Sequence, residues 1–182
     1  MYGGFQNLSN TFSYARMNDI VQNPIEVFRR DTPTLIRIDI TYGKGSSASW
    51  LFDLLQAMFI FLGVTDDRFS KEQVLDLART IVSQYGTIKM AEMLLFLSRF
   101  KAGKYGRFYG GDSYALVVTE ALNVFIGERA RYYEQIENEE REHKRNEDKK
   151  QQKMTFEEWK RMKEANGEKV ENLTSEIIES IT

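Results

Sequence analysis

The sequence predicts an all-α protein built around a compact helical core. Three observations carry this prediction. Apolar residues recur at helical spacing in several segments between residues 48 and 130. Serine, threonine or aspartate precedes these segments and glycine follows several of them, and these are the residues that begin and end helices. Only two prolines occur in the 182 residues, and both lie before residue 34.

Residues 1–47 are predicted to form an irregular N-terminal arm, rich in glycine, asparagine and serine. Within it, residues 34–42 read TLIRIDITY and place Ile36, Ile38 and Ile40 on one side of an alternating pattern. A period of two predicts a short strand or an extended arm. Because a lone strand is marginally stable in water, it must pack on the helical body, pair with a partner chain or stay loosely ordered.

The helical core domain is predicted over residues 48–130. Its first three helices cover Ala48–Leu62, Lys71–Tyr85 and Ile88–Lys101. The second has the clearest start signal, a serine followed three residues later by a glutamine, which is a capping box. We expect these side chains inside the core: Trp50, Leu54, Leu77, Ile81, Leu94, Leu97, Leu122 and Phe125.

A fourth helix is predicted to begin at Ser113, with Asp112 as its N-cap. Its apolar stripe thins out from Gly127 onward. The helix should bury the face that carries these residues: Leu116, Thr119, Leu122, Val124, Phe125 and Ile126.

Residues 131–182 are predicted to form a charged helix and a C-terminal tail. Charges of both signs dominate from residue 129 to residue 153, which is typical of a long solvated helix or of partial disorder. A sustained apolar heptad is missing, so a self-sufficient coiled coil is not predicted.

Two amphipathic segments follow the charged helix. Phe156, Trp159 and Met162 are three residues apart on one face, and Leu173–Ile181 carries further leucine and isoleucine. We expect both segments to be small helices that bind a protein partner or fold back. Phe156, Trp159 and Met162 are therefore the candidate partner-binding residues.

The clearest functional signal is the basic–aromatic segment, Ser98–Gly111, which reads SRFKAGKYGRFYGG and contains no acidic residue. Cations suit phosphates and aromatic rings suit stacked bases, so the segment predicts binding of DNA or RNA. The alternative is a packing corner, in which the cations complement a helix end and the rings fill the core. The candidate nucleic-acid-binding residues are Arg99, Lys101, Lys104, Tyr105, Arg107, Phe108 and Tyr109.

No catalytic site is predicted. Cysteine is absent, His143 is the single histidine and lies among charged residues, and no set of nucleophile, base and acid emerges. The glycines around Lys44 do not have the spacing of a phosphate-binding loop. We therefore expect a protein that is not an enzyme and has no cofactor and no metal. Glu92 either faces solvent or is the buried partner of Arg99 or Arg107.

The net charge of −2 means that any nucleic-acid contact must come from a local patch. The N-terminus lacks the pattern of a secretory signal, and the most apolar run is too short to span a bilayer. The sequence therefore predicts a cytoplasmic protein without a membrane segment.

A motif adds to these expectations. Leu94–Gly110, with Asp112 and the residues Phe125–Arg129 after it, resembles a family of small uncharacterised proteins of phages and mobile elements of gut bacteria. The pattern of that family is lxxFFxrFKxGrYGxFYG, followed by an aspartate and by F…ER. Elements at Trp50-Leu51 and at Phe61–Gly63 match as well, so the resemblance covers about residues 34–130. Gly111 departs from the pattern.

The resemblance implies no activity, but its setting implies replication or another DNA transaction. Two hypotheses follow. The protein is a non-enzymatic accessory protein of a phage or mobile element, associated with nucleic acid as a replication or helicase-loading adaptor in the bacterial cytoplasm. Alternatively, it is a structural or assembly protein, with a place in the virion and with the charged helix as a spacer or oligomerisation arm.

Overall fold

The computed structural model describes residues 2–65, 67–106, 113–152 and 156–166, and over these residues the fold is all-α, as predicted. The chain divides into two compact units, Met1–Glu134 and Gln135–Thr182. A 3₁₀ turn, Tyr14–Arg16, separates the first two α-helices. In order, the helices are α1 (Phe5–Thr11), α2 (Met17–Ile20), α3 (Pro24–Arg29), α4 (Leu35–Tyr42), α5 (Ser46–Phe61), α6 (Lys71–Tyr85), α7 (Met90–Lys101), α8 (Tyr114–Gln152) and α9 (Phe156–Ala165).

The strand predicted at residues 34–42 is wrong, because α4 occupies this segment. The side-chain oxygen of Thr34 accepts a hydrogen bond from the backbone N–H of Arg37 at 3.3 Å, which caps the helix. The alternating pattern is compatible with a helix because Leu35 and Ile38, three residues apart, form a fully buried face. Tertiary burial of this face decides the structure over β-propensity.

The N-terminal residues are helical and packed, and the predicted irregular arm is wrong. The indole N–H of Trp50 on α5 donates to the backbone oxygen of Phe12 at 3.0 Å. Leu8 of α1 and Val27 of α3 are fully buried. These residues are part of the apolar core, which supplies the stability that the predicted arm lacked.

The core itself agrees with prediction. All eight side chains expected inside it are buried, and α6 begins at Lys71 and ends at Tyr85 as predicted. Its capping box is present, because the side chains of Ser70 and Gln73 each accept a hydrogen bond from the other residue's backbone N–H. The next helix begins two residues later than expected, at Met90.

One face of α8 was predicted incorrectly. Leu116 and Val124 are exposed, whereas the buried stripe consists of Val118, Ala121, Leu122 and Phe125. The spacing of three, one and three residues is that of a helix face packed on a core. Two of the residues expected on this face therefore lie outside it. Asp112, the predicted N-cap, lies outside the described residues.

The described part of the second unit contains the end of α8 and α9. Exposed pairs one turn apart line α8, including Arg141 with Glu137 at 3.1 Å and His143 with Glu147 at 3.6 Å. The segment Leu173–Ile181 lies outside the described residues. No described helix combines the length and the apolar character needed to span a membrane.

Candidate interaction surfaces

The basic–aromatic segment is joined to α8 by the carboxylate of Glu128. Arg99 Nη1 lies 2.6 Å from Glu128 Oε2, and Lys104 Nζ lies 2.8 Å from Oε1. The hydroxyl of Tyr105 donates to Oε2 at 3.4 Å. The Arg99 and Glu128 side chains are mostly buried, whereas that of Lys104 is 45% exposed. One carboxylate therefore holds two of the predicted phosphate-binding cations.

Arg99 has a second partner on α8. Its Nη2 donates to the hydroxyl of Tyr132 at 2.9 Å, and its guanidinium carbon lies 5.4 Å from the centroid of the same ring. Burial alone would lower the pKa of Arg99, but the hydrogen bond to Tyr132 and the charge of Glu128 raise it above its ordinary value. The Arg99 guanidinium is thus a fixed positive charge enclosed between two α8 side chains.

Lys101 lies between two aromatic rings. Its Nζ is 4.3 Å from the centroid of the Tyr14 ring and 4.4 Å from that of Phe61. Both distances are within the range of a cation–π interaction. Lys101 therefore links the end of α7 to the N-terminal helices and to the end of α5.

The described aromatic rings of the segment face the core. Tyr105 is half-buried with its ring centroid 5.7 Å from that of Phe96, and Phe100 is buried. Burial, and next the charge of Glu128, raises the pKa of Tyr105 far above the ordinary value for tyrosine. The Tyr105 ring has the partners of a packing element.

Three predicted nucleic-acid-binding residues, Arg107, Phe108 and Tyr109, lie outside the described residues. For the other four, the structure places every cationic group against a carboxylate or a ring of this chain. Their binding to nucleic acid stays a prediction. The contacts agree with the alternative, the packing corner.

Glu92 forms a second cluster at the other end of α7. Its side chain is fully buried, and Oε2 accepts from Arg129 Nε at 3.0 Å and from the backbone N–H of Lys89 at 2.9 Å. The hydroxyl of Tyr133 donates to Oε1. Of the alternatives considered, burial is therefore correct, but the partner is Arg129, which lies 37 residues away in sequence.

The Glu92 cluster also holds the end of α3. Lys89 Nζ donates to the backbone oxygens of Phe28 and Arg30 at 3.0 and 3.1 Å. The ring of Phe28 stacks on Tyr132 at a centroid distance of 4.6 Å. Burial, and next the hydrogen bond to Glu92, raises the pKa of Tyr133 far above the ordinary value. The polar groups of the Glu92 cluster therefore have hydrogen-bonding partners within the chain.

A groove lies between α4, α5 and α6, with a volume of about 740 Å³. Its apolar lining comes from Ala48 and Phe52 on α5 and from Leu75 and Val82 on α6. We call it the α4–α6 groove. Polar and charged side chains also line it: Asp39, Lys44, Ser49, Arg79 and Ser83.

Two exposed isoleucines lie on α4, the helix that contributes Asp39 to the lining of the α4–α6 groove. Ile36 is 55% and Ile40 is 78% exposed, one turn apart on α4, and Asp39 between them lines the groove. The backbone N–H of Ile36 donates to the oxygen of Gly86, which lies one turn beyond Val82 of the groove lining. Exposed apolar side chains beside an apolar groove are typical of a surface that binds another protein.

The predicted partner-binding residues belong to α9. Met162 is 44% exposed and Trp159 is half-buried. The side chain of Phe156 lies outside the described residues, although its backbone begins α9. Their role in binding a protein stays a prediction.

Sequence reasoning missed Glu128 and Arg129 as partners, and it missed Ile36 and Ile40 as an exposed pair. A signal existed for the first two, since both belong to the F…ER motif. For the isoleucines, a helical interpretation of the same residues would have separated them from Leu35. In the described residues, no three histidine, aspartate or glutamate side chains lie close enough to hold a metal ion.

The chain was compared with known proteins. Neither the curated proteins nor the solved structures gave a match. A family model described as a family of unknown function, DUF6633, matches residues 69–169, which include the basic–aromatic segment and both α7–α8 clusters. Since the match covers more than half of the chain, the protein belongs to this family of unknown function.

Proposed function

We propose that this protein is a non-enzymatic adaptor or assembly protein that binds a partner protein through the α4–α6 groove. The observation that carries the proposal is the exposure of Ile36 and Ile40 on α4, the helix whose Asp39 lines the groove together with Phe52 and Val82. Water contact with apolar surface costs about 25 cal/mol per Å², so a partner that covers these side chains gains free energy.

The contacts of the basic–aromatic segment support the same proposal. Arg99 and Lys104 contact Glu128, and Lys101 contacts two rings, so these groups stabilise the fold. A buried guanidinium that left Glu128 to reach a phosphate would leave a carboxylate without its partner, which is costly. Binding of a partner at the α4–α6 groove does not require a buried ion pair to be broken.

The experiment places a photo-crosslinking amino acid at position 40 of the full chain in the cells that make it. We expect one protein to be crosslinked at position 40, and the untagged wild-type chain to compete for it. The matched control is the same amino acid at Asn18, which is exposed on α2. Equal crosslinking at both positions, or none at position 40, would contradict the proposal.

A second candidate function is binding of single-stranded nucleic acid by the basic–aromatic segment. In its favour, Glu128 pairs with two of the three described cations of this segment, Lys101 contacts two rings, and the side chain of Lys104 is 45% exposed. Positive charge in excess of the paired carboxylate is what a phosphate backbone requires.

Salt-dependent binding to single-stranded DNA tests this candidate. Changing Lys104 and Arg107 together to Ala should lower the salt slope by about 0.7 for each lost phosphate contact. Changing Arg16 and Lys71 to Ala removes the same charge elsewhere and is the control. Absence of binding to single or double strands at low salt would eliminate the candidate.

We also propose that the protein serves a phage or mobile element in a bacterial cytoplasm, with a place in the virion as the alternative. The support is the motif at Leu94–Gly110 alone. Detection of the protein in infected or induced cells and in purified particles separates the two locations.

A further inference from the structure

We propose that the exposed side of α8 binds a second copy of this chain, with the two helices antiparallel. The inference goes beyond the proposed function and does not depend on the α4–α6 groove. The surface that carries it lies in the first compact unit and consists of these exposed residues: Leu116, Glu120, Val124, Gly127 and Arg131. We call this surface the α8 stripe.

The α8 stripe follows one side of the helix. Its residues are separated by four, four, three and four positions, which is the spacing of a helix face. The core side of the helix is a different one, which carries Val118 and Phe125. Leu116 is 61% and Val124 is 55% exposed, so the stripe presents apolar surface to water. A partner that covers these two side chains gains free energy.

Two charges of opposite sign lie within the α8 stripe. Neither Glu120 nor Arg131 has a hydrogen bond or an ion pair with a side chain of the described residues. The two residues are eleven positions apart, or about 16 Å along the helix, so they do not pair within one chain. Both charges are therefore available to another chain.

A two-fold axis makes the α8 stripe complementary to itself. If the axis passes midway between Val124 and Gly127, an antiparallel second copy sets its Arg131 level with Glu120, and its Glu120 level with Arg131. Each contact is then formed twice, as a two-fold interface requires. A parallel pair in register would instead set like charges level with each other. Glu134, the next exposed acid along the helix, is level with a valine of the second copy.

Gly127 supports the antiparallel arrangement independently. A glycine inside a helix costs about 1 kcal/mol relative to alanine. No internal contact accounts for it, because a Cβ added at Gly127 would meet nothing within 4 Å in the described part of the chain. In the antiparallel pair, Val124 of the second copy is level with Gly127, and the absence of a side chain there allows the two helices to approach closely.

Introduced cysteines test the arrangement, because the chain contains no cysteine of its own. One full-length chain carries Glu120→Cys, and a second, tagged chain of different mass carries Arg131→Cys. We expect the mixed disulfide to form at least about tenfold faster than a disulfide between identical chains, whose cysteines would lie about 16 Å apart along the helices. Equal rates, or a faster disulfide between two Glu120→Cys chains, would overturn the inference.

Charge reversal provides the second test, with the mass in light scattering as the readout. Glu120→Arg or Arg131→Glu alone sets like charges level and should weaken dimerisation at least about tenfold. The double variant should recover the wild-type dissociation constant within about threefold. Glu142→Arg with Arg16→Glu makes the same exchange outside the stripe and should change nothing. A wild-type chain that stays monomeric up to about 1 mM, or a double variant as weak as the single ones, would overturn the inference.

Gly127→Gln separates the interface from the fold. Because glutamine favours a helix more than glycine does, the melting temperature of the monomer should rise. The new side chain occupies the space of Val124 of the second copy, so dimerisation should weaken at least about tenfold. Unchanged dimerisation would overturn the inference. So would a dimer that Ile36→Asp with Ile40→Asp abolishes and the α8 variants do not, whereas crosslinking at position 40 tests the proposed function independently.

Discussion

The basic–aromatic segment and the α4–α6 groove belong to the same compact unit but use charge in opposite ways. In the segment, Glu128 holds Arg99 and Lys104 with distances of 2.6 and 2.8 Å. At the groove, Lys44 has no pair in the described residues and Arg79 has only a solvent-exposed one there. Most of the described polar groups of the segment are held in internal contacts, whereas the groove leaves charged groups exposed.

The difference shows that cations can lie close together in the sequence and still be occupied by other side chains in the folded protein. A cation that is buried against a carboxylate of the same chain binds another anion only at the cost of breaking that pair. Glu128 reaches the segment although it lies 29 residues from Arg99. At the α4–α6 groove, Lys44 of the α4–α5 turn has no ion pair with a described residue, and Arg79 of α6 has an exposed pair with Asp76.

The largest expected effect is on the buried cluster that shares α7 with the basic–aromatic segment. Glu92→Gln removes the charge of a fully buried side chain that pairs with Arg129, and we expect a loss of about 3 kcal/mol in the free energy of unfolding. Urea denaturation measures it. Glu120→Gln, on the exposed side of α8, is the control and should change stability by less than about 0.5 kcal/mol. A small effect at Glu92 would mean that the cluster contributes little to the fold.

The next effect distinguishes the two cations that contact Glu128. Arg99→Ala removes a mostly buried group that bonds both Glu128 and Tyr132, and we expect a loss of about 2 kcal/mol in unfolding free energy. Lys104→Ala removes a half-exposed group and should cost less than about 1 kcal/mol. Thermal unfolding of both variants checks this order. Equal costs would show that exposure does not distinguish the two contacts.

Alkaline pH should weaken both clusters through their tyrosines. Since the pKa values of Tyr105 and Tyr133 are raised in the folded state, their stabilisation is complete below pH about 10 and is lost as pH rises above it. Melting temperatures from pH about 8 to about 11 should fall less in Tyr133→Phe than in the wild type. If all nine tyrosines ionise in one step near their ordinary pKa, this expectation is contradicted.

The smallest effect on stability is expected at the groove. Ile36→Asp with Ile40→Asp replaces exposed side chains, so the unfolding free energy should change by less than about 0.5 kcal/mol. The same variant should lose binding of the partner that crosslinking at position 40 identifies. Leu35→Asp, at a fully buried neighbouring position, is the comparison and should destabilise the chain strongly. Strong destabilisation by the isoleucine variant would place Ile36 and Ile40 in the core.

Local signals in the sequence were sufficient for the best predictions. The capping box at Ser70 and Gln73 defined the start of α6, and apolar periodicity identified Leu94 and Phe125 as core residues. α4 was mistaken for a strand because its short apolar alternation fits two periods, and its long-range contacts decide between them. The contact of Leu35 with Ile88, through a backbone hydrogen bond of 3.0 Å, is not visible in local sequence.

The candidate site was less predictable than the fold. The sequence drew attention to the basic–aromatic segment, but the partners of Arg99 and of Glu92 lie on α8, and no spacing rule predicts an ion pair between two helices. Exposed apolar residues are equally hard to find, because the sequence alone does not show which side of a helix packs against the core.

The neighbouring residues Glu128 and Arg129 carry opposite charges and contact partners at the two ends of α7. This arrangement fixes the alignment of α8 to a single residue. A shift in one direction would set Arg129 against Arg99, and a shift in the other would set Glu128 against Glu92. Each misaligned packing therefore places like charges together, which is a direct penalty against the wrong alignment. Deletion or insertion of one residue between Phe125 and Glu128 would impose that penalty on the helix, even with every side chain of the two clusters intact.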